Sequence, residues 1–441
     1  MLKRINRAQK DDAHRLLQCL TVAARPLRVE ELAEILAFDF QASSSGGIPK
    51  LKKDWRWEDQ EEALLLTCSS LITIVRNGPY PVVQFSHFSV KEYLTSPRLA
   101  RSPEGDISRF YIDPEQAHTV LMQACLEIFL RLHNPGSNRD ANRSPLFEYA
   151  AQHWIDHAKF ENVWTRTRDG MLDLFDSSKP HFAAWIREYD IDESWDNFSH
   201  HMRHGGGSPL YYAACYGHYD LAEKLIMTHP EQVNASGGHL LAPLPAALYK
   251  GQFQVANLLH KNGASADVRG QLEWTPLHAA SISGRIDIMR WLLDHGADAN
   301  ARNRASRTPL HIAAFAMHAE AVQVLLEHSE VIFNSQNGTG RTPLFDLLSR
   351  YRATPEKKIV NIVRLLLEHG ADTNIRDYRH STALHQASSH GWLEVSLLLL
   401  RYGAKVDEKD VDGRTPFQLA LKEGHHQMTK LLLVHGAVPP P

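Results

Sequence analysis

Between Thr275 and Arg302 the apolar positions fall into two short stripes of helical spacing, each too narrow to form a core of its own. Leu277, Ala279, Ala280 and Ile282 make the first stripe, and Ile288, Trp291, Leu292 and Leu293 the second. Thr275 before Pro276 predicts an N-cap whose hydroxyl accepts an orphan amide, followed by a first helical residue that has no amide to leave unpaired. Gly284 and Gly296 close the two helices, because a helix commonly ends on a residue in the left-handed conformation. Such a pair needs neighbours on both sides.

The neighbours are copies of itself. The cap position recurs at Ser208, Ala242, Thr275, Thr308, Thr342, Thr382 and Thr415, with gaps of 34, 33, 33, 34, 40 and 33 residues. Thr275-Pro276-Leu277-His278, Thr308-Pro309-Leu310-His311 and Thr382-Ala383-Leu384-His385 carry the opening of three copies, and Gly296-Ala297-Asp298, Gly370-Ala371-Asp372 and Gly403-Ala404 carry the close of the third, fifth and sixth. This period and signature resemble the ankyrin repeat over Ser208 to Ala437. Two departures stand out. The fourth copy has Met317 and Ser329 where its neighbours have glycine, which predicts a cost at both helix ends. The fifth carries seven extra residues, roughly Tyr351 to Lys357, expected to project as a loop. The first copy is expected to dock on the segment before it, since terminal repeats often face another domain.

Upstream the period is lost. Helices are expected over Asp11–Ala24, Val29–Phe38 and Glu58–Ser70, then strands Leu71–Val75 and Val82–His87 around Asn77-Gly78-Pro79, and a helix capped by Ser89 with Glu92. Three helices and a hairpin make the order of a winged helix. Four more helices follow: Glu115–Leu132, Pro145–Phe160, one near Asp169–Phe175, and His181–Tyr189, before the Gly205-Gly206-Gly207 joint. The fold class is therefore mainly α, with a winged-helix-like domain (1–100), a helical connector (101–207) and about seven repeats (208–441).

Charge narrows the chemistry. With 48 basic against 51 acidic residues the net charge is −3, so nothing in bulk favours nucleic acid or an anionic membrane. The acidic third helix, with Glu58, Asp59, Glu61 and Glu62, is the wrong sign for phosphate and disfavours DNA reading. The four cysteines, Cys19, Cys68, Cys125 and Cys215, lie too far apart for a zinc motif and read as reduced core thiols of a cytoplasmic or nuclear protein. Most of the 26 histidines belong to the repeat, and His153 with His157, four apart, lacks a third ligand. No metal, cofactor or catalytic constellation is expected, and the chain reads as non-enzymatic.

Phe85-Ser86-His87-Phe88-Ser89-Val90-Lys91-Glu92-Tyr93-Leu94 resembles the sequence that closes the winged helix of NACHT-type signalling NTPases, the NOD-like receptors, and residues 1–207 are similar to the segment that fungal NACHT/ankyrin proteins carry between NTPase and repeats. The resemblance implies a nucleotide-sensing role for His87. The G-x-x-x-x-G-K-[S/T] phosphate loop of such NTPases does not occur in the chain, so any switch would need an NTPase in trans or one missing from the gene model.

The ankyrin resemblance also implies where a protein would bind: the concave surface lined by hairpin tips and first-helix ends. Projected here, it comprises Arg269, Trp274, Arg302, Arg304, Arg307, Phe315, Arg341, Arg350, Arg376, Tyr378, Arg379, His390 and Arg414. Arginine interspersed with aromatics is the composition of interface hot spots, and implies a protein partner offering an acidic segment. Charge reversal at Arg304 and Arg307 is expected to abolish binding and leave stability unchanged. The leading expectation is a protein-interaction scaffold or sensor arm; the alternatives are a regulatory part of a NACHT-type switch, an accessory ankyrin protein of a metabolic gene cluster, or a nuclear regulator.

Overall fold

The computed structural model describes residues 2–5, 9–40, 48–51, 59–68, 70–76, 78–131, 144–188, 206–349 and 356–439. Contacts divide the chain into two compact units, Met1–Pro243 with Gln252–Leu258, and Leu244–Gly251 with Leu259–Pro441.

The first unit opens with α1 (Lys10–Val22), β1 (Leu27–Arg28), α2 (Val29–Leu36), β2 (Phe38–Asp39), β3 (Lys50–Leu51), α3 (Gln60–Cys68), β4 (Ile72–Val75) and β5 (Val82–Phe85). β4 and β5 pair antiparallel from Ile72 with Phe85 to Val75 with Val82, the expected hairpin. Sequence reading missed β1, because Arg25-Pro26-Leu27 looks like a helix breaker; Leu27 and Arg28 add a third strand against Val83 and Val82. It also missed the short β2–β3 pair. The next helix, α4 (Phe88–Leu94), is capped not by Ser89 but by His87, whose Nδ1 accepts the Ser89 amide at 3.2 Å. Glu31 is fully buried and held by Arg25, which donates two hydrogen bonds at 2.6 and 2.9 Å, and by the Arg28 amide at 2.7 Å.

After α5 (Pro97–Ala100) and α6 (Gly105–Ser108) come the connector helices α7 (Pro114–Leu130), α8 (Phe147–Ala158), α9 (Val163–Leu174) and α10 (Pro180–Glu188). Asp113 caps α7; of the apolar stripe that its spacing predicts, Leu121, Ala124, Cys125, Ile128 and Phe129 are buried, whereas Val120 is half-buried. His153 and His157 do not converge. His157 lies between His118 Nδ1 and the Tyr149 hydroxyl, both at 2.8 Å, while His153 approaches Asp156 at 3.4 Å. The four cysteines are buried, as expected of core residues.

The first repeat, α11 (Pro209–Tyr216) and α12 (Tyr219–Thr228), packs on the connector through rings: Tyr216 lies 5.3 Å from Trp154 and Tyr212 5.8 Å from Trp185, centroid to centroid. Of the three glycines before it, Gly205 lies outside the described residues and Gly206 is exposed, but Gly207 is not slack. Gly207 is buried, and a Cβ there would come within 2.2 Å of the Tyr211 ring.

The second repeat is α13 (Pro243–Tyr249) and α14 (Phe253–Lys261). The second unit then continues through α15 (Pro276–Ser283), α16 (Ile286–Asp294), α17 (Pro309–Ala316), α18 (Ala319–Glu327), α19 (Pro343–Leu348), α20 (Glu356–Glu368), α21 (Ala383–His390), α22 (Leu393–Arg401), α23 (Pro416–Lys422) and α24 (His426–Val434). First helices stack on first helices and second on second, making two layers whose facing stripes are covered only by neighbours. Within α15 Pro276, Leu277, His278, Ala280 and Ser281 are buried; of the expected stripe Ala279 is half-buried and Ile282, contrary to expectation, exposed. Of the seven inserted residues, Glu356 and Lys357 are not loop. They extend α20, and Glu356 Oε1 accepts the Val395 amide in the first turn of α22 at 2.9 Å.

The caps add to the expected chemistry. Thr275 forms a reciprocal capping box with His278: its hydroxyl faces the His278 amide, and the His278 ring closes back on Thr275, Nδ1 lying 3.2 Å from its amide and 2.8 Å from its hydroxyl. An amide can only donate, so Nδ1 is the acceptor and Nε2 carries the proton. That Nε2–H donates to the Arg307 carbonyl of the next repeat at 2.9 Å. His311 repeats the arrangement with Thr308 and the Arg341 carbonyl, and His385 with Thr382 and the Arg414 carbonyl. Where the third helical residue is Phe345, the Thr342 hydroxyl takes the amide itself. Where it is Gln418, the side-chain oxygen replaces the imidazole at the Thr415 amide.

Both kinds of helix end can be tested by substitution. Met317 sits at φ 62°, a left-handed C-cap, whereas Ser329 is not left-handed because α18 ends on His328 at φ −80°. Met317→Gly should therefore stabilise the chain by about 1 kcal/mol in urea titrations while Ser329→Gly does not. Burial pushes the His311 pKa down from 6.5 to about 4, so the native state binds fewer protons than the unfolded chain between those values. Stability held above about pH 6.5 should fall as pH drops toward 4, by about 3 kcal/mol for this residue at 1.36 kcal/mol per unit. His311→Gln, which copies the cap that Gln418 makes, should flatten that part of the pH dependence in unfolding measured at pH 7.5 and 4.5.

Candidate functional site

The second unit presents a face of hairpins, built by a residue pattern that sequence reading overlooked. Five positions before Thr308, Thr342, Thr382 and Thr415 stand Asn303, Asn337, Asp377 and Asp410, all buried; before Thr275 the position is Gly270. Each side-chain oxygen accepts the amides two and four residues on: Asn303 from Ala305 and Arg307, Asn337 from Thr339 and Arg341, Asp377 from Arg379 and Ser381, Asp410 from Asp412 and Arg414. The turns are thereby rigid, and they link to one another. The Arg304 amide donates to Leu272, Gly338 to Ala305, Tyr378 to Thr339 and Val411 to Arg379, at 2.8 to 3.1 Å. A turn residue followed by a threonine five later was a readable signal.

The residue before each threonine forms a row along this face: Trp274, Arg307, Arg341, Ser381 and Arg414. The row's arginines are not the free charges that the sequence suggested. Arg307 donates through Nε to Asp346 at 3.0 Å and lies over the Phe315 ring at 5.2 Å. Arg341 donates through Nε to Asp377 at 3.4 Å and lies over Phe345 at 5.1 Å. Asp346 is 1% exposed and also accepts from Asn337 at 2.9 Å; its other oxygen is buried without a partner among the described residues, and burial raises its pKa against the pull of Arg307. Arg414 is taken up by Asp410 and Asp412, Arg376 by Glu408, and Arg379 by Asp412 at 3.5 Å.

The remaining predicted residues divide by position. Arg269 bridges Glu273 at 3.5 Å and the Arg302 carbonyl at 2.9 Å, and Arg302 donates to the Gln336 carbonyl at 2.9 Å. Arg304 is exposed, and among the described residues its guanidinium has no partner. Tyr378 is 72% exposed and lies across Gly340, which has φ 79° and room for no side chain. Trp274 is half-buried, its ring 5.8 Å from His278. His390 stacks on Trp392 at 4.4 Å and donates to the Gln386 carbonyl. Arg350 lies outside the described residues. The structure thus gathers Trp274, Arg304, Arg307, Arg341 and Tyr378 on one face and turns most of the others inward to carboxylates or carbonyls.

These pairings correct the expectation for charge reversal. Arg304 can be reversed freely, but a glutamate at 307 would meet buried Asp346, so the two positions are not equivalent. In the first unit His87 is exposed, with Nδ1 2.7 Å from the Ser89 hydroxyl and its ring 4.4 Å from that of Phe88, which is 71% exposed. Acidic α3 is held in part by the Arg76–Glu61 ion pair. Among the described residues no group of three or more His, Cys, Asp or Glu side chains could hold a metal, and no helix is long and apolar enough to cross a membrane.

Comparison with known proteins places both parts. Residues 2–104 match the family described as "GPI inositol-deacylase, winged helix domain", and residues 210–303, 244–337, 300–377 and 350–440 match "Ankyrin repeats (3 copies)". A curated relative, "Azaphilone pigments biosynthesis cluster protein L" of Monascus ruber, is 30% identical over 278 residues, which cover 58% of this chain and 56% of that protein. The chain thus spans a little over half the length of that relative. With the signature, the two-layer stack and the repeat match all falling on the same residues, the chain belongs to the ankyrin-repeat proteins and carries a winged-helix domain ahead of its array.

Proposed function

We propose that this chain is a non-enzymatic interaction protein that holds a protein partner, through an acidic segment, on the hairpin face of its second unit. One observation supports the reading: successive turns, joined by backbone hydrogen bonds, carry Trp274, Arg304, Arg307, Arg341 and Tyr378 at or beside their tips, and Arg307 and Arg341 are held by buried carboxylates. Ordering in advance lowers the entropy lost on association, and this composition is the one that dominates binding energy in protein interfaces. The ankyrin membership supports it, since such repeats generally serve protein–protein contact. In this reading the protein works in the cytoplasm or nucleus as a scaffold.

The relative adds a second, narrower reading, an accessory protein of a biosynthetic gene cluster, because that relative is named for one. The likeness of residues 85–94 to the NACHT winged helix supports a third, the regulatory part of a nucleotide-dependent switch, with His87 as its sensor. The chain holds no phosphate loop of its own, and the His87 Nδ1 is already engaged by Ser89, so the scaffold reading ranks first.

Photo-crosslinking tests the face. A benzophenone amino acid at Tyr378 of the full chain should capture a discrete protein in the native host, and one at Gln323, on the exposed side of α18, should not; the opposite result overturns the assignment. Arg304→Glu should weaken capture without changing thermal stability, whereas Arg307→Glu should also destabilise by about 2 kcal/mol, because it confronts a buried carboxylate. Titration with ADP or ATP in a calorimeter should give no binding heat; micromolar binding that His87→Ala abolishes would promote the switch reading.

A further inference from the structure

Resting on that reading, we infer that Arg307 and Arg341 are its specificity-determining pair: two planar guanidinium forks in adjacent repeats, each shaped to take one carboxylate of an extended acidic peptide. They differ from the other arginines of the face in three respects at once. Each stacks on a phenylalanine, Phe315 or Phe345. Each is fixed at Nε by a carboxylate that is nearly inaccessible, Asp346 at 1% and Asp377 at 3% side-chain exposure. And each keeps both terminal nitrogens without a partner among the described residues, while its side chain is 31% exposed. Arg414, Arg376, Arg379, Arg269 and Arg302 have a terminal nitrogen spent on a carboxylate or carbonyl.

The backbone is fixed as well. The carbonyls of Arg307 and Arg341 accept from His278 and His311 of the preceding repeats, so both ends of each arginine are tied before a ligand arrives. A guanidinium stacked on one face and anchored at Nε can still offer its outer edge, two parallel N–H groups, and that edge fits a carboxylate in the bidentate mode. The buried aspartates also cancel the local charge. Two arginines face two aspartates, so attraction must come from hydrogen-bond geometry more than from net potential. An acidic segment recognised this way should be held with a shallow dependence on salt, unlike one drawn to an unpaired basic patch.

The probe is a library of random twelve-residue peptides displayed on phage and selected on the intact chain. Selected peptides should carry at least two Asp or Glu residues, and converting these to Asn or Gln should cost at least tenfold in Kd. The double variant Arg307→Lys/Arg341→Lys, which keeps both charges and so should keep the pairs with Asp346 and Asp377, should also lose at least tenfold with an unchanged melting temperature. Kd should change less than threefold between 50 and 300 mM salt. Peptides that bind the lysine variant as tightly as the natural chain, or that lack carboxylates while still losing affinity on Tyr378→Ala or Trp274→Ala, would overturn the forks and leave the face. Peptides indifferent to all of these substitutions, or no selected peptides at all, would overturn the forks and count against the face itself.

Discussion

A neutral imidazole bridging two repeats is the contact on which the second unit depends. His278, His311 and His385 each close the cap of their own first helix with one ring nitrogen and hold the next repeat's backbone with the other. The arrangement works only for the uncharged ring, because Nδ1 must accept while Nε2 donates. Burial supplies that condition, lowering the pKa of all three. Helix capping, repeat-to-repeat register and the protonation state are therefore one constraint seen at three scales.

The site inherits its order from this contact. The carbonyls that the imidazoles hold belong to the residues that precede the caps, the same Arg307, Arg341 and Arg414 that line the hairpin face. Below them, buried Asn and Asp side chains fasten each turn, and backbone bonds between turns join the row. What faces outward is thus set by what is fastened beneath. Phe315 and Phe345 keep two guanidiniums flat, while Asp410 and Asp412 consume a third.

The first unit is stabilised differently. Large rings, Trp154, Trp185, Phe175 and Phe182 with Tyr212 and Tyr216, build an aromatic core that joins the connector to the first repeat. Close approach also explains Gly207: with Tyr211 over it, that position has no space for a Cβ. A glycine read as part of a slack linker is here a packing requirement.

Period, caps and stripe spacing in the sequence were enough to determine the ankyrin array, the winged-helix order of the first hundred residues and the helices between, because these depend on interactions within a few residues. Met317 shows how far that goes: its left-handed cap was legible from its neighbours' glycines, whereas Ser329, at the other helix end, was not, since α18 ends without needing a left-handed residue. The sequence also located the arginine row. It could not say which of those charges were already spent, because Asp346 stands 39 positions from Arg307 and Asp377 36 from Arg341. Ion pairs, ring stacking and the strand at Leu27 all join residues distant in the chain, and only tertiary packing decides which distant groups meet.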